Sequence, residues 1–176
     1  LSGKTFFSPL SHLVHLGSRR KNKMNIISNL IEAHIFREHN GKLEFLLLKR
    51  SPEQYYPNIW QMVTGKIKEN EAAFNTALRE IEEETGLVPA KFWVAPTVNS
   101  FYAPDKDCIC LLPVFAAKVK YDCEVKISKE HTEFRWLCPE EAKNLLAWDG
   151  QRKSVDLIVD YVLNRNSFLN FIEIKI

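Results

Sequence analysis

The sequence contains no long apolar run, no internal repeat and no pair of cysteines spaced for metal binding. A membrane-spanning helix needs ~20 consecutive apolar residues, and no stretch approaches that length, so we expect no membrane partner. The missing C-x-x-C spacing argues against a zinc site. The cysteines are therefore interpreted as reduced thiols of a cytosolic, that is cytoplasmic, protein: Cys108, Cys110, Cys123 and Cys138.

Acidic residues are absent from the first 23 positions, which carry five of the 24 basic residues. We interpret residues 1–23 as a leader or an artificially appended segment; translated upstream sequence and a targeting segment are the alternatives. Without this segment, 19 basic residues remain against 22 acidic ones, a net charge of −3. A basic surface for nucleic acid is therefore not indicated.

Residues 24–176 are predicted to form one domain, since 45% of the 176 residues are apolar and 26% are charged. Strands are predicted at 29–38 and 43–50, joined by a turn at Asn40-Gly41. Further apolar stretches at 91–102 and 108–119 flank the turn-forming 103–107, and 133–137 is a short strand. Helices are predicted from Pro139 to about Leu146 and from Gln151 to Leu163. This mixture predicts an α/β protein with a mixed β-sheet flanked by helices.

A helix is also predicted from Glu71 to Thr85, with Asn70 as its N-cap and Gly86 as its end. A single buried stripe is expected from its apolar spacing: Phe74, Ala77, Leu78 and Ile81. The helix ends in the stretch "REIEEETG", which places acids at the end of the helix that already carries a partial negative charge.

Three of these acids, Glu80, Glu83 and Glu84, share one helix face at i, i+3 and i+4. They should repel each other unless a cation lies among them, and carboxylates without histidine or cysteine suit Mg²⁺, with Mn²⁺ also possible. By spacing alone, an ordinary charged helix face remains an alternative.

The wider pattern runs from Gly65 through Glu71 to "REIEEETGL". It fills every fixed position of G-x5-E-x7-R-E-U-x-E-E-x-G-U, where U is aliphatic. The chain thus resembles the Nudix hydrolases, and the resemblance implies an α/β/α sandwich that holds this segment as loop, helix and loop. Members of this family hydrolyse a diphosphate linked to another moiety.

The resemblance also implies roles for individual residues. Glu80, Glu83 and Glu84 would bind Mg²⁺ next to the backbone of Gly65, and Glu80 or Glu83 would activate the attacking water as the catalytic residue. Arg79 and Glu71 would brace the helix through a salt bridge.

Outside this segment the sequence resembles the bacterial dihydroneopterin-triphosphate pyrophosphatases, which also act on dATP. The resemblance rests on "WQMVTG", "EHTEFRWL" and "WDGQR". By that match Glu130 would be a further metal ligand, with Glu133 as the alternative, and Arg50 and Thr64 would contact substrate phosphates.

The sequence departs from that branch in three places. The basic residue near the start of its first strand is missing, Ala147 replaces a serine, and the stretch between Tyr102 and Cys108 is short. Several aromatic residues could stack on a base or a pterin: Tyr55, Tyr56, Trp60, Phe101, Tyr102 and Trp148. Of these, we include Tyr102 among the substrate-binding candidates.

The leading expectation is hydrolysis of a nucleoside triphosphate-like molecule, dATP or dihydroneopterin triphosphate, to a monophosphate and pyrophosphate. The alternatives are hydrolysis of another linked diphosphate, such as a diadenosine polyphosphate or a nucleotide sugar, and a non-catalytic nucleotide-sensing domain. The expected partner is a small diphosphate or nucleotide, without nucleic acid, and the protein is expected to be a monomer or a homodimer.

Overall fold

The computed structural model describes residues 24–176, so the predicted leader at residues 1–23 lies outside the described residues. The described part contains nine strands in one sheet and four α-helices. The strands are β1 Asn25–Ile27, β2 Leu30–His39, β3 Lys42–Arg50, β4 Trp60–Gln61, β5 Val63–Lys66, β6 Lys91–Ala103, β7 Cys108–Lys118, β8 His131–Leu137 and β9 Glu173–Ile174. The helices are α1 Ala73–Thr85, α2 Pro139–Leu145, α3 Asp149–Leu163 and α4 Leu169–Ile172.

The hairpin of β2 and β3 confirms the predicted pair of strands and the turn between them. Asn40 and Gly41 have φ angles of 52° and 73°, and two positive φ angles in a two-residue loop match the twist of the flanking strands. Asparagine and glycine reach this conformation at the lowest cost, which explains why the short motif alone located the turn.

The sheet is mixed, as predicted, and its main path runs β4-β3-β2-β7-β6-β9. β2 and β7 pair in parallel, whereas β2 pairs antiparallel with both β3 and β5. β8 lies antiparallel to β3. This arrangement places β5, the end of β3 and the start of β8 around one end of the sheet.

The two faces of the sheet carry two separate cores. Alternate residues of β2, Ile31, Ala33 and Ile35, pack with Ala77 and Ile81 of α1 on one face. Phe36, from the other face of β2, packs with residues of α2 and α3. The result is the α/β/α sandwich that the resemblance implied.

The predicted start of α1 and part of its buried stripe are wrong. The helix begins at Ala73, with Ala72 as the N-cap, and Asn70 instead adopts a left-handed φ of 62° in the preceding turn. Glu71 stays outside the helix because its carboxylate accepts hydrogen bonds from Thr76 and from the Lys68 backbone N–H. Phe74 lies in the first turn and is exposed, and the buried positions of α1 begin at Thr76.

The C-terminal tail after α3 continues the fold. α4 packs Leu169 and Ile172 against the core that α3 covers, and β9 then pairs with the edge strand β6. α3 itself begins at Asp149, two residues before the predicted start. Among residues 24–176, no helix is long and apolar enough to cross a membrane.

Candidate active site

Gly65 marks the point where α1 comes closest to the sheet. A Cβ atom added to Gly65 would lie 2.2 Å from Cγ of Glu80 and 2.7 Å from its Oε1. Side-chain atoms cannot approach so closely, so the glycine is needed for the space it leaves. The Glu80 carboxylate therefore lies directly against the backbone of β5.

Arg79 holds this end of the helix together. Its Nε and Nη2 atoms donate to the two carboxylate oxygens of Glu71, at 2.8 and 3.0 Å. Its Nη1 donates to Glu80 at 2.6 Å and to Glu83 at 3.0 Å. The hydrogen bond from Arg79 lowers the pKa of Glu71 to about 2. Arg79 and Glu71 thus form the brace that the resemblance implied, and Arg79 also neutralises two of the predicted metal ligands.

Glu84 is the most buried of the three carboxylates on this face, with 5% of its surface exposed. Burial, with the nearby charges of Glu80 and Glu130, raises its pKa to about 9, against the opposing effects of Arg50 and the Thr64 backbone. Its Oε2 atom has no hydrogen-bond partner among the described residues. A buried carboxylate without a counter-charge is costly unless it is protonated or a cation binds.

Glu130 and Glu133, the two alternatives for a further ligand, have different surroundings. Glu130 immediately precedes β8, and its carbonyl accepts a hydrogen bond from the Ser51 N–H at 2.9 Å. Its charge contributes to the raised pKa values of both Glu80 and Glu84, whose main cause is burial. Glu133 is paired with Lys49 at 2.6 Å, and this hydrogen bond lowers its pKa. The geometry favours Glu130, whose role as a ligand stays a prediction.

These carboxylates fit a hard divalent cation, although the side chains are not already arranged as a ligand shell. No three acidic, histidine or cysteine side chains in residues 24–176 stand close enough to form a metal cluster. Glu80 and Glu83 both bond to Arg79. The unpartnered oxygen of Glu84 and the space beside Gly65 both suit Mg²⁺ or Mn²⁺, which prefer oxygen ligands. The Nudix resemblance makes the same assignment.

Arg50 and Thr64 lie next to the acidic cluster. Arg50 ends β3, where the pairing with β8 contains a bulge between Lys49 and Arg50. Its Nη1 and Nη2 atoms donate weakly, both at 3.3 Å, to Gln61 and Gln54, and its buried Nε has no partner among the described residues. The charge of Arg50 and the backbone of Thr64 both act on the pKa of Glu84. Their contact with substrate phosphates stays a prediction.

Tyr102, by contrast, is not joined to this cluster. Its exposed ring lies at the end of β6, and its hydroxyl donates to Asp107 at 2.8 Å within the β6–β7 hairpin. No hydrogen bond among the described residues links it to the acidic helix, so its substrate-binding role also stays a prediction.

Two features of the site were not evident from the sequence. His131 lies buried beside Glu84, with 3.6 Å between Nε2 and Oε2. Tyr55, Tyr56 and Trp148 form one exposed aromatic cluster, with ring centroids 4.4 and 5.3 Å apart along it. Neither feature follows from local sequence, because both join residues that are distant in the chain.

Comparison with known proteins agrees with this geometry. Residues 31–158 match the NUDIX domain. The chain is 31% identical over 131 residues to the asymmetrical bis(5'-nucleosyl)-tetraphosphatase of Rattus norvegicus, which covers 69% of this chain and 86% of that protein.

Solved structures show the same fold. A C. elegans Ap4A hydrolase superposes with a TM-score of 0.67 at 22% identity, covering 77% of this chain and 97% of that one. The E. coli dihydroneopterin triphosphate pyrophosphohydrolase gives a TM-score of 0.62 at 20% identity, covering 78% and 98%. At these identities the likeness establishes the fold and does not select a substrate.

Proposed function

Because the chain belongs to the NUDIX family, and is therefore a hydrolase of phosphoric anhydrides, we propose that it cleaves a polyphosphate chain that links two nucleosides. This is the linked-diphosphate alternative of the sequence analysis. The similarity to the bis(5'-nucleosyl)-tetraphosphatase favours it over a simple triphosphate, because that relative is matched over most of its length.

The observation that carries the chemistry is the position of the carboxylates around Gly65. Glu80 lies against the β5 backbone. Glu83 accepts a hydrogen bond from Arg79, which also donates to Glu80. Glu84 is buried and has an oxygen without a hydrogen-bond partner among the described residues. Glu80, Glu83, Glu84 and Glu130, with the backbone of Gly65, would hold the divalent cation. Mg²⁺, when bound there, lowers the pKa of water and neutralises charge on phosphoryl oxygens.

The other groups of the site bind and orient the substrate. The guanidinium of Arg50 makes only long hydrogen bonds to other side chains, and its charge acts on Glu84. A guanidinium can bind two phosphate oxygens at once. Glu80 or Glu83 accepts the proton of the attacking water at a carboxylate oxygen. Arg79, which neutralises both acids, limits their repulsion before substrate binds.

The exposed aromatic cluster provides a surface for a nucleobase. Between 45% and 71% of the surface of Tyr55, Tyr56 and Trp148 is exposed, and base stacking on such rings contributes about 1–3 kcal/mol. The loop that carries the tyrosines starts at Arg50, and Asn58 donates its N–H back to the Arg50 carbonyl at 3.2 Å. The phosphate contact of Arg50 and the base contacts of the two tyrosines would thus come from one short segment.

The second candidate is the pyrophosphohydrolase activity on dATP or dihydroneopterin triphosphate. It is favoured by the motifs "WQMVTG", "EHTEFRWL" and "WDGQR". The missing basic residue near β1, Ala147 and the short turn between Tyr102 and Cys108 argue against the pterin substrate.

Product analysis separates the two candidates. The protein is incubated with Mg²⁺ and, in separate reactions, diadenosine tetraphosphate, dATP, dihydroneopterin triphosphate and a nucleotide sugar. Products are separated by anion-exchange chromatography, and H₂¹⁸O identifies the phosphorus atom that water attacks. We expect AMP and ATP from the tetraphosphate. Pyrophosphate from a triphosphate, at higher kcat/KM than any linked substrate, would instead establish the second candidate.

A further inference from the structure

His131 is held beside Glu84 by the backbone on both sides of it. The Ser128 N–H donates to the Glu84 carbonyl at 3.1 Å, and the Ser128 carbonyl accepts from the His131 N–H at 3.2 Å. Lys126 adds a hydrogen bond to the Thr85 carbonyl at 2.8 Å. The segment before β8 is thus tied to the C-terminal end of α1, and the imidazole cannot move far from the carboxylate.

The side chains of His131 and Glu84 are both deeply buried, with 2% and 7% of their surface exposed. Glu84 Oε2 and His131 Nδ1 have no hydrogen-bond partner among the described residues. Buried polar atoms are nearly always satisfied, and one left without a partner destabilises the fold. The 3.6 Å between Nε2 and Oε2 exceeds a hydrogen bond by only a few tenths of an ångström.

His131 is also tied to the strand that carries Arg50. Arg50 lies opposite His131 in the β3–β8 pairing, next to the bulge, so the substrate-binding candidate and the imidazole are fixed by the same pair of strands.

We infer that His131 is a positioning residue: a shift of a few tenths of an ångström brings its Nε2–H close enough to donate to Glu84 Oε2, and this bond fixes the carboxylate for a divalent cation. The inference rests on the proposed metal role of Glu84. Carboxylates that bind metals are themselves held by hydrogen bonds, and losing such a partner weakens metal affinity by about 10–100-fold. His131 itself contacts neither the cation nor the substrate.

The test measures Mn²⁺ binding to the metal-free protein by electron paramagnetic resonance, without any substrate. His131→Met and His131→Leu remove the donor and keep an apolar side chain, whereas His131→Gln retains an N–H donor. We expect the apolar variants to bind Mn²⁺ at least tenfold more weakly, and His131→Gln to stay within about threefold of the native protein. Two apolar variants are made because either substitution alone could prevent folding. One variant that folds is enough for the test.

His34 offers a matched control within the same sheet. It is also buried and hydrogen-bonded to a glutamate, with 2.7 Å between its Nε2 and Glu32 Oε1. It lies, however, on the face of the sheet that packs against α2 and α3. His34→Gln should leave Mn²⁺ affinity unchanged. In a Glu84→Gln background, His131→Met should cause no further loss, because the two residues act through one contact.

The failure of this inference differs from the failure of the proposed function. Native Mn²⁺ affinity in a folded His131→Met or His131→Leu protein would overturn the inference alone. Equal weakening in His131→Gln and the apolar variants would also overturn it, because the donor would then be irrelevant. Absence of Mn²⁺ binding to the native protein would overturn both the inference and the proposed metal site.

Discussion

At the scale of single residues, the three carboxylates of the acidic helix have different surroundings despite their identical chemistry. Glu83 is half exposed, Glu80 is partly buried against Gly65, and Glu84 is almost fully buried. Burial and neighbouring acids raise the pKa of Glu84 to about 9, while Arg79 compensates Glu80 and Glu83. One helix face thus carries carboxylates suited to different tasks.

Glu83→Gln should reduce kcat by at least ~10²-fold, since the loss of a catalytic proton acceptor typically costs 10²–10⁴-fold. The side chain is 54% exposed, so the Tm should change by little. The measurement pairs initial rates in Mg²⁺ with thermal unfolding. Glu82→Gln, one position away on an exposed part of the helix, is the control and should keep native activity. A collapse of Tm in Glu83→Gln would indicate a structural role instead.

Glu84→Gln should stabilise the metal-free protein at neutral and alkaline pH. The pKa of Glu84 rises from 4.5 to about 9 on folding, so between these values the unfolded chain ionises while the native carboxyl remains protonated. The free energy of unfolding therefore falls as pH increases, by about 3 kcal/mol at pH 7. A glutamine does not ionise and removes this slope.

Thermal unfolding in EDTA from pH 5 to pH 8 measures this effect. The Tm of Glu84→Gln, relative to the native protein, should increase steadily with pH. Parallel Tm curves for the two proteins would contradict the pKa shift.

At the scale of elements, α1 is held at both ends by contacts outside the helix. At its start, Glu71 binds Arg79 through both carboxylate oxygens. At its end, the N–H groups of Lys126 and Ser128 donate to the carbonyls of Thr85 and Glu84, at 2.8 and 3.1 Å. The acidic face therefore stays in one position against β5, which a metal site requires.

Glu71→Gln should weaken this brace and lower kcat by about tenfold, because Arg79 would be free to hold Glu80 and Glu83 more strongly. The pKa of Glu71 is lowered to about 2, so its stabilising effect is present above pH 4.5 and is lost as pH falls through 2. The Tm difference from the native protein should therefore be largest near neutral pH and vanish in acid. Acid titration of Tm, together with initial rates, measures both effects.

Glu44→Gln serves as the control for this prediction. Glu44 accepts from Arg37 Nε at 2.7 Å in the β2–β3 hairpin, outside the acidic cluster. Its loss should leave kcat unchanged. If Glu44→Gln reduced kcat as much as Glu71→Gln does, the brace could not be the cause.

At the scale of the whole molecule, the C-terminal tail completes the core on the side of the sheet away from α1. Leu169 and Ile172 pack on that core, and β9 pairs Ile174 with Phe92 at the edge of the sheet. A sequence comparison limited to the family region would omit this segment, yet it covers apolar surface of β6 and α3. The tail therefore stabilises the fold without contributing a residue to the acidic cluster.

Deletion of residues 166–176 should lower the free energy of unfolding by about 3 kcal/mol, because partly buried apolar side chains are lost and an edge strand is exposed. The value of kcat/KM should change by less than about twofold. Urea denaturation and initial rates measure the two quantities. Phe171→Ser, at a position with 84% exposure, should have almost no effect, and a large change in that control would contradict this account of the packing.

Much of the architecture could be predicted because its signals are local. Asn40-Gly41 indicated a hairpin, Gly86 ended α1, and the strands at β6, β7 and β8 lie where apolar patterning placed them. The start of α1 could not be predicted in this way. Glu71 accepts hydrogen bonds from a residue eight positions later, so its position depends on side-chain contacts rather than on helix propensity.

The order of residues by itself determined the chemistry of the acidic helix, because the spacing of Glu80, Glu83 and Glu84 on a helix follows from 3.6 residues per turn. Only the tertiary structure decided which of these carboxylates is buried, that Gly65 makes room for Glu80, and that His131 lies beside Glu84. Those properties arise where α1, β5 and the segment before β8 meet. The burial of a side chain and the charge around it depend on which parts of the chain meet in space. The number of residues between those parts does not give these distances.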